Sequence, residues 1–318
     1  MHAAKWQSHS LSKMVEKVTE EGENVTKAEK RFGAYMTLKK DKNGLTEKEF
    51  LKDYKAGDYE RPSVTADILV LGTSADLRTL KILLVKRDEH PYLEQWALPG
   101  GFVRKDETAY QTAERKLSQE TGLEGVYLDQ IYTFTNPKRD PRTWVMTIAY
   151  LALVSDTSDD VLRGITCAGA GEDDGGVQDA AWFDLVIDDG EIRFSNAERD
   201  IEIKYSIETK RFKNGRIYYE NWVSKPASKE DLAFDHIEII IESILKLKAE
   251  FEHTDLAFNM IGEKFTLPDL QALFELVLGK KLYKTNFRAM IAPKVEATGE
   301  KMKSISSNKM SAEYRYKG

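Results

Sequence analysis

Gly101-Phe-Val-Arg-Lys-Asp-Glu107, seven further residues, then Arg115-Lys116-Leu117-Ser118-Gln119-Glu120-Thr121-Gly122-Leu123 is the stretch on which the fold turns. Ala109, Ala113 and Leu117 recur at helical spacing, so the pattern predicts a helix from Thr108 to Thr121. Gly122 is placed to close it in the left-handed conformation. Just before it, Trp96-Ala-Leu-Pro-Gly100-Gly101 reads as a tight glycine turn. Lys116, Gln119 and Glu120 fall at i, i+3 and i+4, which puts them on one helix face with no net charge.

Outward from this helix the chain reads as strands. Val64–Leu71 and Leu80–Lys86 are apolar, branched runs of strand length, followed by Tyr127–Thr135, Thr143–Val154 and Ala180–Leu185. Gly164–Gly176 reads as a loop, and Asn214-Gly215 within Arg211–Tyr219 predicts a hairpin with a type I′ turn. Upstream, residues 1–30 form a loosely ordered polar extension, and Asp41-Lys-Asn43-Gly44 is a turn before a short helix over 46–55. Beyond Lys225, Ile237, Ile240, Ile241, Ile244 and Leu245 form an apolar helical stripe. His236, beside Asp235 at the start of that helix, reads as a cap or packed residue rather than a metal ligand.

From Thr266 the helix signals are sharp: Thr266 as N-cap, Asp269 in capping-box position, and Gly279 as stop. A second helix over Thr285–Ala292 ends before Pro293, and two extended segments flank the polar stretch Ser304–Asn308. Helix, turn, basic helix and hairpin is the plan of a winged helix. Lys284, Thr285, Asn286 and Arg288 then occupy the first turns of the recognition helix, where side chains reach base edges. Lys301 and Lys303, with Lys280, Lys281 and Lys309, are candidates for phosphates, and Lys294 and Arg315 fit either set.

Length and charge agree with this division. A chain of 318 residues suggests about two domains. The net charge is −6, yet residues 280–318 carry +7, leaving −13 on the rest. A basic end on an acidic body suggests a polyanionic partner there. The lone Cys167, read as a packed thiol, excludes an intramolecular disulfide. No window approaches about eighteen consecutive apolar residues, so a soluble, cytoplasmic protein without a membrane partner is expected.

The quoted stretch resembles the signature of the Nudix hydrolases, which cleave nucleoside diphosphates linked to another group. The resemblance implies an α/β/α sandwich with a mixed sheet, in which the loop–helix–loop of the box cradles a diphosphate. It also implies glutamates at the positions held here by Lys116 and Gln119, on the face where Mg²⁺ sits. A lysine ammonium about 4 Å from a divalent ion is repelled by about 8 kcal/mol at an effective dielectric near 20, twice the unit-charge figure. Only Glu120 remains as a metal candidate, and Glu107 and Arg115 become structural or phosphate-orienting. Arg87, Gly100, Gly101, Arg139, Arg142 and Trp144 are the candidate ligand residues: guanidinium forks for phosphates and an aromatic face for adenine or ribose.

Tyr59-Glu-Arg-Pro-Ser-Val-Thr-Ala-Asp67 and Arg139-Asp-Pro-Arg142 are similar to the ADP-ribose branch of the Nudix proteins. Leu232-Ala-Phe-Asp-His236, Phe265-Thr-Leu-Pro-Asp-Leu-Gln271 and Asn286-Phe-Arg288 resemble the second half of the NrtR-like regulators. The expected architecture is α+β: a polar extension over 1–56, a Nudix-like domain over 57–250 and a winged helix-turn-helix over 251–318. The resemblance implies a transcriptional regulator of the kind associated with NAD metabolism, or in some relatives with sugar utilisation, binding operator DNA as a homodimer and sensing an ADP-ribose-like effector without a cofactor. The rival reading is an active, Mg²⁺-dependent hydrolase of ADP-ribose, with Glu107, Glu114, Glu120 or Glu172-Asp173-Asp174 standing in for the lost ligands. A third is a binding module whose helical end meets protein.

Overall fold

The computed structural model describes residues 39–155, 157, 177–188 and 190–318. The loop reading of Gly164–Gly176, the packing of Cys167, the acids 172–174 and the expectation for residues 1–30 all lie outside them. Contacts divide the chain into two compact units, Met1–Arg61 and Pro62–Gly318. In the first, the stretch read as an extension contains helix α1 (Glu47–Asp53). Thr46 and Glu49 close a reciprocal capping box there. The Asp41 carboxylate accepts the amides of Asn43 and Leu45, as a turn does.

The second unit is built on a mixed sheet. Its strands are β1 (Ser63–Thr73), β2 (Leu80–Arg87), β3 (Trp96–Ala97), β4 (Gly100–Phe102), β5 (Tyr127–Phe134) and β6 (Val145–Leu153). They are joined by β7 (Val177–Asp188), β8 (Glu191–Asn196), β9 (Ile201–Asn214) and β10 (Ile217–Pro226). The order is β10-β9-β8-β7-β2-β1-β6-β5, with β3 against β2 and β4 against β1. Only β1 and β6 run parallel among these pairs. Parallel strands are covered on both faces, which is why β1 reads as an unbroken apolar run. Its Ile68 and Val70 pack under helix α2 (Ala109–Thr121) with Ala113 and Leu117. Leu69 and Leu71 point the other way, into the core shared with helix α3 (His236–Phe251).

That second core continues into the C-terminal elements β11 (Lys264–Thr266), α4 (Leu267–Leu278), α5 (Lys284–Ile291), β12 (Val295–Lys303) and β13 (Met310–Tyr316). Phe251 of α3 meets Phe274 of α4 with ring centroids 4.9 Å apart, and Phe274 meets Phe287 of α5 at 5.4 Å. The winged-helix plan is present, with a small sheet ordered β11-β13-β12. Among the described residues no helix is long and apolar enough to cross a membrane.

Three local expectations are corrected. The hairpin exists, but Asn214 pairs with Ile217, so its two-residue turn is Gly215-Arg216. Only Gly215 has a positive φ (59°), the type II′ pattern rather than I′. The apolar stripe of α3 is rotated from the reading: Ile239, Leu247 and Phe251 are buried with Ile240, Ile241 and Ile244, while Ile237 and Leu245 are only partly covered. Asp269 does not complete a capping box, because its carboxylate takes the Thr266 hydroxyl (2.7 Å) instead of the cap amide.

Candidate functional site

The site forms where β4 pairs with the start of β1, setting Asp67 opposite Gly100 and Ala66 opposite Gly101. Gly100 is required by the backbone it approaches, whereas a side chain at Gly101 would have to displace Lys116. A Cβ on Gly100 would lie 2.5 Å from the Ala66 carbonyl, and one on Gly101 would lie 2.2 Å from Lys116 Cε. The Lys116 side chain therefore runs along the bare backbone of Gly101 and ends against Glu120.

Lys116 is 2% exposed, and its Nζ lies 3.1 Å from Glu120 Oε1. The other oxygen, Oε2, accepts the Gly100 amide at 3.0 Å. Burial raises the Glu120 carboxyl above the ordinary range, against the pull of the Lys116 ammonium and the Gly100 amide. On the outer side of α2, Arg115 donates to both oxygens of Glu107 (2.8 and 2.9 Å) and reaches Gln119 Oε1 at 3.2 Å. Thr112 also donates to Glu107 (2.9 Å).

This arrangement does not fit the divalent ion that the box implies. Both Glu120 oxygens are engaged, Glu107 is clasped by Arg115, and an ammonium stands on the face a cation would need. Among the described residues no three His, Cys, Asp or Glu side chains gather to hold a metal.

Above this floor lies a small cleft of about 60 Å³, lined by Arg87, Gly100, Gly101, Arg139, Arg142 and Phe234 among others. A cleft of about 460 Å³ between the β1–β2 turn and the winged helix is roomier, but Arg87, Arg139 and Arg142 converge on the smaller one. Arg139 differs from the free phosphate fork expected of it. It is buried, reaching Asp67 Oδ2 at 3.1 Å and holding Asp235 through two bonds of 2.9 and 2.7 Å. Arg142 forms a bidentate pair with Asp140 (3.0 and 2.7 Å) and leans over Phe102 and Phe234. Arg87 is held by the carbonyls of Pro91 (2.9 Å) and Glu89 (3.4 Å), so its bonded partners leave its charge unneutralised. Burial, and then the neighbouring Arg142, draw its guanidinium below the usual value.

Trp144 does not line this cleft. Its place as an aromatic face is taken by Phe234, whose ring lies 5.0 Å from the Arg87 guanidinium carbon and packs on Tyr92. Asp67 and His236 also line the cleft, and Asp235 holds Arg139 there, though no local spacing in the sequence groups them. His236 is buried, and its Nδ1 accepts the Leu98 amide at 2.9 Å. Burial lowers its pKa, which keeps the ring neutral and able to accept. No spacing signal links Leu98 to His236; only the packing of α3 against the sheet joins them.

The winged helix is organised differently. Asp269, 2% exposed, ties the start of α4 to the β12–β13 turn by accepting the Ser304 hydroxyl (2.9 Å) and the Ser306 amide and hydroxyl (both 2.8 Å). Burial works against its ionisation, but these bonds and the one from Thr266 outweigh it and hold the carboxyl below the ordinary range. Phe287 and Ile291 anchor α5, leaving Lys284, Thr285, Asn286 and Arg288 exposed. Lys301 and Lys303 are exposed on β12. A groove of about 450 Å³ between α4, α5 and the β12–β13 turn is lined by Gln271, Lys284, Arg288, Ser307 and Lys309 among others. Lys280, Lys281, Lys294 and Arg315 are instead paired with Glu252, Glu275, Asp255 and Glu296.

Fold and site together define a Nudix-type domain whose box is closed by its own lysine, joined through one core to a winged helix. Residues 62–186 match the model of the NUDIX domain, and residues 257–316 match that of the NrtR DNA-binding winged helix domain. The ADPR responsive transcriptional repressor NtrR of Acinetobacter baylyi is 30% identical over 249 residues, covering 77% of this chain and 78% of that one. The structure of Shewanella oneidensis NrtR complexed with a 27mer DNA superposes with a TM-score of 0.55 at 27% identity, covering 80% of this chain and 93% of that one. A MutT/nudix family protein from Enterococcus faecalis gives a TM-score of 0.67 at 28% identity, over 86% and 94% of the two chains. The chain belongs to the NrtR family of Nudix-domain transcriptional regulators.

Proposed function

We propose that this chain is a transcriptional repressor in which the winged helix binds operator DNA as a homodimer and the Nudix-type cleft binds an ADP-ribose-like effector. The observation that carries the reading is the buried Lys116–Glu120 pair beneath the cleft. A hydrolase needs divalent metal there to neutralise phosphate oxygens and activate water. Here a fixed ammonium closes that face, so hydrolysis is lost or badly weakened and a bound diphosphate survives. No cofactor takes part in this reading. Arg87, Arg142 and the amides around Gly100–Gly101 are the groups for the diphosphate, and Phe234 the apolar face beside them. Lys284, Thr285, Asn286 and Arg288 are the groups for base edges, with Lys301 and Lys303 on the backbone.

Anisotropy titration with DNA from upstream of its own reading frame tests the regulator. Specific binding at about 10⁻⁸ M or tighter is expected, with the affinity altered by added ADP-ribose in the absence of metal. Only weak binding indifferent to sequence would sink the reading. Release of AMP from ADP-ribose with Mg²⁺ or Mn²⁺ faster than about 1 s⁻¹, an ordinary enzyme rate, would restore the hydrolase.

A further inference from the structure

The β9–β10 hairpin lies at the edge of the large sheet, and residues 208–220 are exposed on both strands. Its register sorts the side chains by face, since paired residues share a side and successive residues alternate. One face carries Phe212 stacked on Tyr219 (5.6 Å), with Ile217. The other carries Lys213 paired with Tyr218 and Arg211 paired with Glu220. The guanidinium carbon of Arg211 lies 4.4 Å from the Tyr218 ring centre, and Lys213 Nζ lies 5.8 Å from it. Arg216 sits in the turn. Among the described residues Arg211, Lys213 and Arg216 form no ion pair, whereas Lys210 faces Glu208 at 3.7 Å.

The root of this arm adjoins the turn of the helix-turn-helix. Lys248 of α3 places its Nζ 5.5 Å from the Trp222 ring centre, and a Cβ built on Gly279 would lie 3.8 Å from the same nitrogen. Ile217 lies five positions before Trp222, a reach of about 17 Å along an extended strand. Residues 208–220 of the arm carry four cations against Glu208 and Glu220, a net +2 beside the DNA-binding domain on a chain whose net charge is −6.

We infer that the β9–β10 hairpin is a second nucleic-acid contact, its Arg211, Lys213 and Arg216 meeting backbone phosphates of the duplex that the winged helix holds. The occupant is a polyanion by charge complementarity. A second copy of the hairpin is disfavoured, because a self-complementary contact would bring the same cations together. The inference rests on the DNA-binding reading above.

The test uses the full chain and a fluorescein-labelled, mixed-sequence duplex, with affinity followed as KCl is raised. R211A/K213A/R216A should keep the wild-type melting temperature and oligomeric state. It should lower the slope of log K against log salt by about 2.7, at about 0.9 per phosphate contact, and weaken low-salt binding by more than about tenfold. The charge-conserving R211K/R216K should retain the slope. An unchanged slope in the triple variant, with K301A or K303A still lowering it, overturns the hairpin alone. Loss of self-association in the triple variant without a change in slope assigns the arm to the second copy and also overturns it. Absence of any salt-dependent DNA binding by the wild type overturns the repressor reading, and the inference with it.

Discussion

The two functional regions handle charge in opposite ways. Beneath the Nudix-type cleft nearly every cation is matched inside the protein: Lys116 with Glu120, Arg115 with Glu107, Arg139 with Asp67 and Asp235. On the winged helix, Lys284, Arg288, Lys301 and Lys303 are exposed and form no ion pair among the described residues. The first pattern is a rigid cradle, because a buried charge persists only with its partner. The second is a surface whose charges are met by solvent and counterions, which a polyanion would release on binding.

Removing one member of the buried network should break this contrast most severely. Arg139→Met leaves Asp67 and Asp235 without their shared partner and should cost about 3–5 kcal/mol of stability by chemical denaturation. A loss below about 1 kcal/mol would show that the network is not the cradle's frame.

The double variant Lys116→Glu, Gln119→Glu rebuilds an acidic face and should cost about 3 kcal/mol without metal, the low end for breaking a buried pair. Added Mg²⁺ should recover part of that loss in a thermal shift, whereas the wild type should not respond. Equal responses of the two proteins would mean that Lys116 does not control metal access. Continued failure of the double variant to cleave ADP-ribose would show that more than the box face was lost.

On the exposed surface the same kind of deletion acts on binding rather than folding. Arg288→Ala should leave the melting temperature unchanged and weaken operator binding by about 1–3 kcal/mol if it reads a base edge. A uniform loss across sequences, with a salt slope lower by about 1, would reassign it to phosphate.

The smallest effect separates the regions by pH. His236 has a lowered pKa in the folded chain, so the unfolded chain binds more protons below the ordinary histidine value. Stability at the cleft is then complete above about pH 6.5 and declines on acidification. Asp269 is also lowered, and its contribution is present above about pH 3.9 and lost only below it. Hydrogen exchange should therefore show amides around Leu98 loosening at a higher pH than those around Ser306. The reverse order would contradict the assignment of these two groups.

Much of the fold was legible because local rules set it. The capped helix ending at Gly122, the unbroken strand Ser63–Thr73 and the Thr266-to-Gly279 helix each carry their own start, stop and periodicity. Strand β8 was legible by the same rules, since Ile192 and Phe194 alternate with polar residues and Gly190, at φ 85°, precedes it much as Gly215 precedes β10. In the cleft, Arg87, Arg139, Arg142 and the glycines were legible as residues but their partners were not. Asp67 and Arg139 are 72 positions apart, and Leu98 and His236 are 138 apart.

The sequence by itself determined that Lys116 and Glu120 share a helix face, because 3.6 residues make a turn whatever lies around it. It also determined the helix–turn–helix–hairpin order of the basic C-terminal region. Only the tertiary structure decided that the shared face is buried against Gly101, that Arg139 is clasped by two carboxylates, and that Phe234 rather than Trp144 faces the arginines. The physical reason is the range of the forces involved. Helical periodicity and capping act over a few residues, whereas pairing of buried charges depends on which distant strands the two hydrophobic cores bring together.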